Sequence, residues 1–293
     1  MQSPAPIAIL LSTYNGERYL TAQLDSLLAQ SCRGWCLFIR DDGSKDATCA
    51  IIDAYARRHP ARIRRLDDRA GNLGSGRSFM ALLAAVEADY YLFCDQDDVW
   101  LPEKVERLYR KMRQCEQAQG NRPLGVFSDL RVVDARLRTI APSLWAYSGI
   151  DPRNCRDPYR MILYGCPLFG CATLFNHAAR ERLLPYPGWK YHDLWTALVL
   201  AGVGRLDYLP EQTILYRQHG ANVTGAHGAI DRQHYLRRLA RLGETVADQL
   251  SKLRAFRQLP YAVSIPKIVG MKLLKCLKTL LKDPDHGKPD GSH

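Results

Sequence analysis

The sequence contains no run of about 18 apolar residues, so it offers no membrane-spanning helix. A short polar stretch precedes the first apolar run, Ile7 to Leu11. No basic segment stands ahead of that run and no small-residue cleavage site follows it, so no secretory leader is expected. The run is not followed by GxGxxG, which argues against a dinucleotide-dependent dehydrogenase, and GxxxxGK[ST] is absent, which argues against a P-loop enzyme. The nine cysteines lack metal-site spacing. Three residues separate Cys32 from Cys36 and four separate Cys166 from Cys171, without a matching second pair, so a zinc module is not expected. Cys94, inside the apolar YYLFC, reads as a buried thiol in a reducing compartment.

What is present fits a globular protein. Hydrophobic residues make up 46% of the 293 and charged residues 24%, enough for one large domain with an appendage. The net charge of +11 is unevenly placed: residues 232–282 hold 12 Lys or Arg against only Glu244 and Asp248. Such a basic arm calls for a polyanionic partner, and both nucleic acid and anionic lipid qualify on charge alone.

The first 135 residues alternate between apolar runs and helical spacing. Strands are expected at Ile7 to Leu11, Trp35 to Ile39, Ile63 to Leu66, Tyr90 to Cys94 and Leu124 to Ser128. Helices are expected through Leu20, Leu24 and Leu27, through Ile51, Ile52 and Tyr55, around Phe79 to Val86, and from Pro102. Alternation of this kind predicts an α/β fold with a parallel, doubly wound sheet. Residues 138–158 lack periodicity and read as a long functional loop. A β-like stretch, Leu168 to Phe175, precedes a helix from about His192 to Ala201 and a strand from Tyr208 to Tyr216. Three parts are thus expected: a domain over 1–231, a basic helical extension over 232–282 broken near Pro260 and Pro266, and a disordered tail over 283–293.

In a doubly wound sheet, ligands bind at the carboxyl ends of the strands. Three polar clusters fall at such ends: Ser12 to Gly16, Asp41 to Ser44, and Asp95 to Asp98. The last places three carboxylates within four residues of a buried strand. Crowded carboxylates repel, and a hard divalent cation such as Mg²⁺ or Mn²⁺ relieves the repulsion. The plainer reading is that Asp98 caps the next helix and the others are solvated. DDGS alone is turn chemistry. Beside the other two clusters it suits a nucleoside, whose uracil or thymine N3 hydrogen a carboxylate accepts and on whose base Tyr14 can stack.

The segments IAILLSTYNGERYL, IRDDGSKD, DYYLFCDQDDVWLPEKVE, HDLWTALV and ILYRQHGANVTG, in this order over residues 6–226, resemble the family 2 glycosyltransferases, and most closely the bacterial rhamnosyltransferase-like subgroup. The resemblance implies the GT-A fold and an inverting transfer of a sugar from a nucleotide diphosphate donor, with L-rhamnose from dTDP-rhamnose as the single best expectation and UDP as the other nucleotide. It implies that Ser12, Tyr14 and Asp42 contact the nucleoside. Asp95 and Asp97 match the DxD pair, Asp97 being the direct ligand of Mg²⁺ or Mn²⁺ and Asp95 serving nucleotide and metal. Asp193 matches the catalytic base, although this chain has His192-Asp193 where the family has Glu-Asp. A helix-capping role is the structural alternative for Asp193. Arg217 and His219 are expected at the pyrophosphate or, for His219, the metal; bracing of a loop is the alternative. Trp189 and Trp195 read as packing rather than acceptor contacts.

On a helical wheel Lys267, Lys272, Lys275, Lys278 and Lys282 share one sector, opposite Val269, Leu273, Leu274, Cys276, Leu277, Leu280 and Leu281. No recognised nucleic-acid motif accompanies the charges and few aromatics interleave them. The pattern suits an interfacial helix on anionic lipid, with a partner helix as the alternative. The expectation is therefore a cytoplasmic enzyme, peripheral on the inner face of the membrane, acting on a saccharide or lipid-linked acceptor in surface polysaccharide synthesis, with no nucleic-acid partner. Two rivals are a sugar nucleotidyltransferase, which STYNGE does not suit because it lacks a Gly-rich basic loop, and a non-catalytic membrane-associated binding protein.

Overall fold

The computed structural model describes residues 7–189, 191–219 and 256–280, with residues 275–280 described by backbone alone. The expected alternation is present: β1 (Ile7–Thr13), α1 (Leu20–Leu28), β2 (Trp35–Asp41), α2 (Thr48–Arg58), β3 (Ile63–Leu66), α3 (Ser75–Ala85) and β4 (Tyr90–Cys94). Then follow β5 (Val99–Trp100), α4 (Lys104–Gln119), β6 (Leu124–Val133), β7 (Thr139–Ala141), α5 (Leu144–Ser148), α6 (Pro158–Tyr164), β8 (Thr173–Asn176), α7 (His177–Leu183), α8 (His192–Val203), β9 (Arg205–Arg217) and α9 (Ile265–Leu280). Pro102 lies ahead of α4 rather than inside it, and Glu103 is the cap.

The sheet runs in the order β3-β2-β1-β4-β8-β6-β9-β5, with β7 on β6. β3, β2, β1 and β4 are parallel. β8 lies antiparallel between β4 and β6, so β6 and its parallel neighbour β9 run the same way as β4. Most of the sheet therefore points in one direction, as expected, while β5, β7 and β8 oppose it. The order reverses between β1 and β4, and a crevice forms at such a switch point beyond the strand ends.

Both sheet faces are covered, which explains the uninterrupted apolar runs. Side chains of a strand alternate faces. Ile7, Ile9 and Leu11 accordingly join the core under α1, α2 and α4, while Ala8 and Leu10 join the one under α3, α7 and α8. Trp189 and Trp195 are buried in the second core, and the Trp195 indole donates to the Leu183 carbonyl. Phe256, Leu259 and Ile268 pack there too, and the Tyr261 hydroxyl donates to the Leu198 carbonyl, so the described part of the C-terminal segment rests on α8. Residues 220–255 and 281–293, with the expected tail, lie outside the described residues.

Residues 138–158 form short elements instead of an open loop. β7 pairs with β6, and the side chains of Ser143, Asp151 and Asp157 cap α5, a 3₁₀ turn at Pro152–Arg156, and α6. Each element is too short to show a period, so caps rather than hydrophobic spacing define it. Leu168 to Phe175 likewise divides into a 3₁₀ turn, Gly170–Ala172, and β8.

Gly204 ends α8 against the carbonyl of Pro123, and an added Cβ would overlap that oxygen and stand 2.9 Å from the Pro123 Cβ. The obstacle is backbone, which yields poorly. Gly204→Ala is expected to cost about 1–3 kcal/mol, seen as a lower urea midpoint at unchanged slope. An unchanged midpoint would show that the β6 entry gives way.

Candidate active site

The three polar clusters meet at one edge because β2, β1 and β4 are adjacent and parallel. In the first, Asn15 takes a positive φ of 48° and its side-chain oxygen accepts the Lys45 amide. The Gln96 amide brackets Tyr14, accepting from its N–H at 2.8 Å and donating to its carbonyl at 3.0 Å. This clamp ties the tip of β1 to that of β4 and leaves the Tyr14 ring 47% exposed. Ser12 donates to Ser78 Oγ at 2.6 Å.

In the second cluster the two aspartates have different tasks. Asp41 closes the turn by accepting the Ser44 amide and hydroxyl and the Thr13 hydroxyl. Burial raises its pKa, but these hydrogen bonds outweigh burial and the net direction is down. Asp42 is buried and accepts from Arg40 Nη1 at 2.5 Å, the Leu73 amide at 2.7 Å and the Gly74 amide at 2.8 Å. Arg40, 1% exposed, also reaches Ser78, Asp68 and the Gly71 carbonyl. Asp42 thus holds the Leu73–Gly74 turn from beneath.

The third cluster carries the charge. Asp97 Oδ2 lies 2.8 Å from His219 Nε2, and His219 stacks against Tyr19. Asp98 is fully buried and accepts the Arg217 amide at 3.0 Å, while its Oδ2 has no hydrogen-bond partner. It is no helix cap, because α4 begins six residues later, at Lys104. Burial, then Asp97 and Asp193, push the Asp95 pKa up to about 7. Burial, then Asp97 and Asp95, hold Asp98 well above the carboxylate range. Lys104, also buried, points its ammonium at the Cys171 carbonyl and the Trp100 ring and makes no ion pair with either carboxylate. Burial lowers its pKa to about 7.

Among the described residues a divalent cation fits the group of Asp95, Asp98 and Cys171, whose ligand atoms lie within 4.8 Å of one another, while the neighbouring Asp97 is engaged with His219 Nε2. The guanidinium of Arg217 donates to the backbone carbonyls of Asp97 and Ala135 and lies over Tyr19, so it braces the Asp97 turn.

Asp193 sits in the first turn of α8, whose cap is Tyr191, so it is not the helix cap. Its charge acts on Asp95, Tyr186 and Cys166, and its Cβ lies beside Gly170, the residue before Cys171. His192 beside it is buried, stacked on Phe79 at 4.3 Å and edge-on to Phe93 at 4.9 Å. Burial lowers its pKa, so the imidazole is neutral, and Nε2 faces Gly170 without a partner. Sequence reasoning missed Arg40, Gln96, Lys104 and Cys171. Gln96 lay inside a quoted motif, whereas Cys171 carried no local signal.

The profile of Glycosyl transferase family 2 matches residues 8–151. An uncharacterized glycosyltransferase of Nostoc sp. is 30% identical over 225 residues, covering 74% of this chain and 66% of that protein. The dTDP-rhamnosyl transferase RfbG of Shigella flexneri is 34% identical over 99 residues, 33% of this chain and 34% of that one. The chain thus spans just under two thirds of the first relative and about a third of the second. Among solved structures, Staphylococcus aureus TarS 1-349 in complex with UDP-GlcNAc superposes with a TM-score of 0.56 at 18% identity, over 74% of this chain and 59% of TarS. The mannosyltransferase PcManGT of Pyrobaculum calidifontis, in complex with GDP-Man and Mn²⁺, gives 0.53 at 14% identity, over 96% of this chain and 82% of that one. The two structures match in fold, the relatives and the profile match in sequence, and the chain belongs to the family 2 glycosyltransferases of GT-A fold.

Proposed function

We propose that this chain transfers a sugar from a nucleoside diphosphate donor to an acceptor hydroxyl, with inversion at the anomeric carbon. The observation that carries the reading is the convergence of Tyr14, the Asp42-held turn, the Asp95–Asp97–His219 group and Asp193 on one crevice edge. Tyr14 offers an exposed ring to the base, and Ser12 and the Leu73–Gly74 turn form the floor of the nucleoside subsite. Asp97, with Asp95 and His219, would hold Mg²⁺ or Mn²⁺. That cation, when bound, offsets the negative charge growing on the departing diphosphate. Asp193 accepts the proton of the acceptor hydroxyl as the new C–O bond forms and the bond to the diphosphate breaks. His192, neutral and wedged between two phenylalanines, fixes the start of α8 and so the position of Asp193.

The names of the similar proteins carry UDP-, dTDP- and GDP-linked sugars, and of these the name of RfbG supports dTDP-L-rhamnose as the donor of this reading. The acceptor in this reading is a saccharide or lipid-linked hydroxyl, and the C-terminal helix supports the lipid-linked form. α9 docks through Ile268, which falls between the lysines on the wheel, with Lys267 over the Tyr159 ring at 4.1 Å. Its opposite sector faces outward: Val269, Leu273 and Leu274 are 50%, 61% and 56% exposed. No helix among the described residues is long and apolar enough to cross a membrane. An outward apolar sector beside lysines suits the surface of anionic lipid instead.

Thermal unfolding with UDP, dTDP, GDP, ATP and NAD, with and without Mn²⁺, tests the donor. Stabilisation by UDP or dTDP that requires Mn²⁺ is expected, and stabilisation by ATP or NAD alone would overturn the reading. Asp193→Asn is expected to keep nucleotide binding and to lose about 10²–10⁴-fold in transfer rate. Turnover retained in that variant would remove Asp193 as the base. Sedimentation with vesicles containing anionic lipid should pellet the intact chain and leave the double variant Leu273→Glu, Leu274→Glu in solution. Equal pelleting of the two would end the membrane proposal.

A further inference from the structure

β8 runs against its neighbours, so its beginning, not its end, lies at the ligand edge of the sheet. Its register with β4 pairs Leu174 with Leu92, and carrying that register three residues outward sets Cys171 opposite Asp95. The side chains follow: the Cys171 Sγ and one carboxylate oxygen each from Asp95 and Asp98 all lie within 4.8 Å of one another.

The position of Cys171 is tightly held. Its carbonyl accepts from Lys104 Nζ. The Ala172 amide and the Thr173 hydroxyl both donate to the Phe169 carbonyl, at 3.0 and 2.7 Å. Gly170 lies so close to His192 that an added Cβ would stand 2.8 Å from Nε2, which fixes the other side of the turn. Cys171 is 2% exposed and Asp98 fully buried, while Asp95 is partly exposed and opens the cluster toward the crevice.

A cluster of acids is not by itself a cation site. Here a second feature points to one: Asp98 Oδ2 is fully buried without a hydrogen-bond partner, on a side chain that supplies one of the three gathered atoms. Two neighbouring carboxylates in a dry setting are both ionised only beside an opposite charge, and without one they keep a proton. The charge of Lys104 reaches both carboxylates, but its ammonium is bonded to a carbonyl and lies on an aromatic face, and the Arg217 guanidinium donates to two carbonyls.

We propose that Cys171 belongs to the cation site, and that its sulfur, beside Asp95 and Asp98, selects a thiophilic divalent cation over Mg²⁺. The proposal rests on the donor reading given above and names the residue that decides which metal serves it. Sulfur and imidazole donors favour Mn²⁺, Zn²⁺ or Cd²⁺ relative to Mg²⁺, which binds through oxygen. Binding through sulfur releases the thiol proton, and the thiolate lone pair enters the metal–sulfur bond.

The test titrates Cd²⁺, Mn²⁺ and Mg²⁺ separately into the full chain by calorimetry, and follows the ultraviolet charge-transfer absorption of a cadmium thiolate. The wild type is expected to give a saturable band. Cys171→Ser should lack the band and bind Cd²⁺ about 10–100-fold more weakly, with Mg²⁺ affinity changed by less than about threefold. Asp98→Asn should also weaken Cd²⁺ binding, and Cys115→Ser, a buried thiol elsewhere, should leave the band intact. Circular dichroism melts confirm that each variant is folded. A wild type without the band, or a band and affinity that survive in Cys171→Ser, would overturn the assignment. Stabilisation by UDP in excess Mg²⁺ is measured alongside. It reports the donor site without any metal–sulfur bond, so failure of the sulfur ligand and failure of the transferase reading are told apart.

Discussion

The organising constraint is the packing of three carboxylates at the end of a fully buried strand. β4 is buried on both faces, and at its end Asp98 is fully buried while Asp95 and Asp97 are partly exposed. Their mutual repulsion must be met locally, and the fold meets it with several devices. His219 pairs with Asp97, and the Arg217 amide with Asp98. The remaining negative charge is what the proposed cation would offset.

The opposite side of the crevice is built on the reverse arrangement. Arg40 is a buried cation fully enclosed by acceptors: Asp42, Asp68, Ser78 and a carbonyl. Removing any one acceptor leaves a charge with unmet demand, so the group holds the Asp42 end of β2, the Leu73–Gly74 turn and the start of α3 as one piece. Cation and anion clusters thus lie a few strands apart, one closed on itself and rigid, the other open to a ligand. Gln96 ties them by clamping the backbone of Tyr14.

The N-terminal half was largely legible in the sequence. Each apolar run became a strand on a sheet with two covered faces, and the three polar clusters at the strand ends came together as the parallel rule requires. Residues after 134 were less legible, for two reasons. Their elements are short and defined by caps, so no hydrophobic period marks them. They also include β8, whose direction depends on which strands it lies between, a relation no local pattern encodes. Asp98 shows the same limit: in sequence it looked like a cap for the next helix, whereas its partner is an amide 119 residues away.

By itself, the sequence determined the strands, the side chains at their tips and the family, because these depend on local period and on residues close in the chain. Tertiary structure alone decided that Asp42 lies beneath the Leu73–Gly74 turn, that the Arg217 guanidinium meets the Asp97 and Ala135 carbonyls, and that Cys171 meets Asp95 and Asp98. Those outcomes depend on strand direction and on which buried charges find partners, and both are settled only when segments distant in sequence pack together.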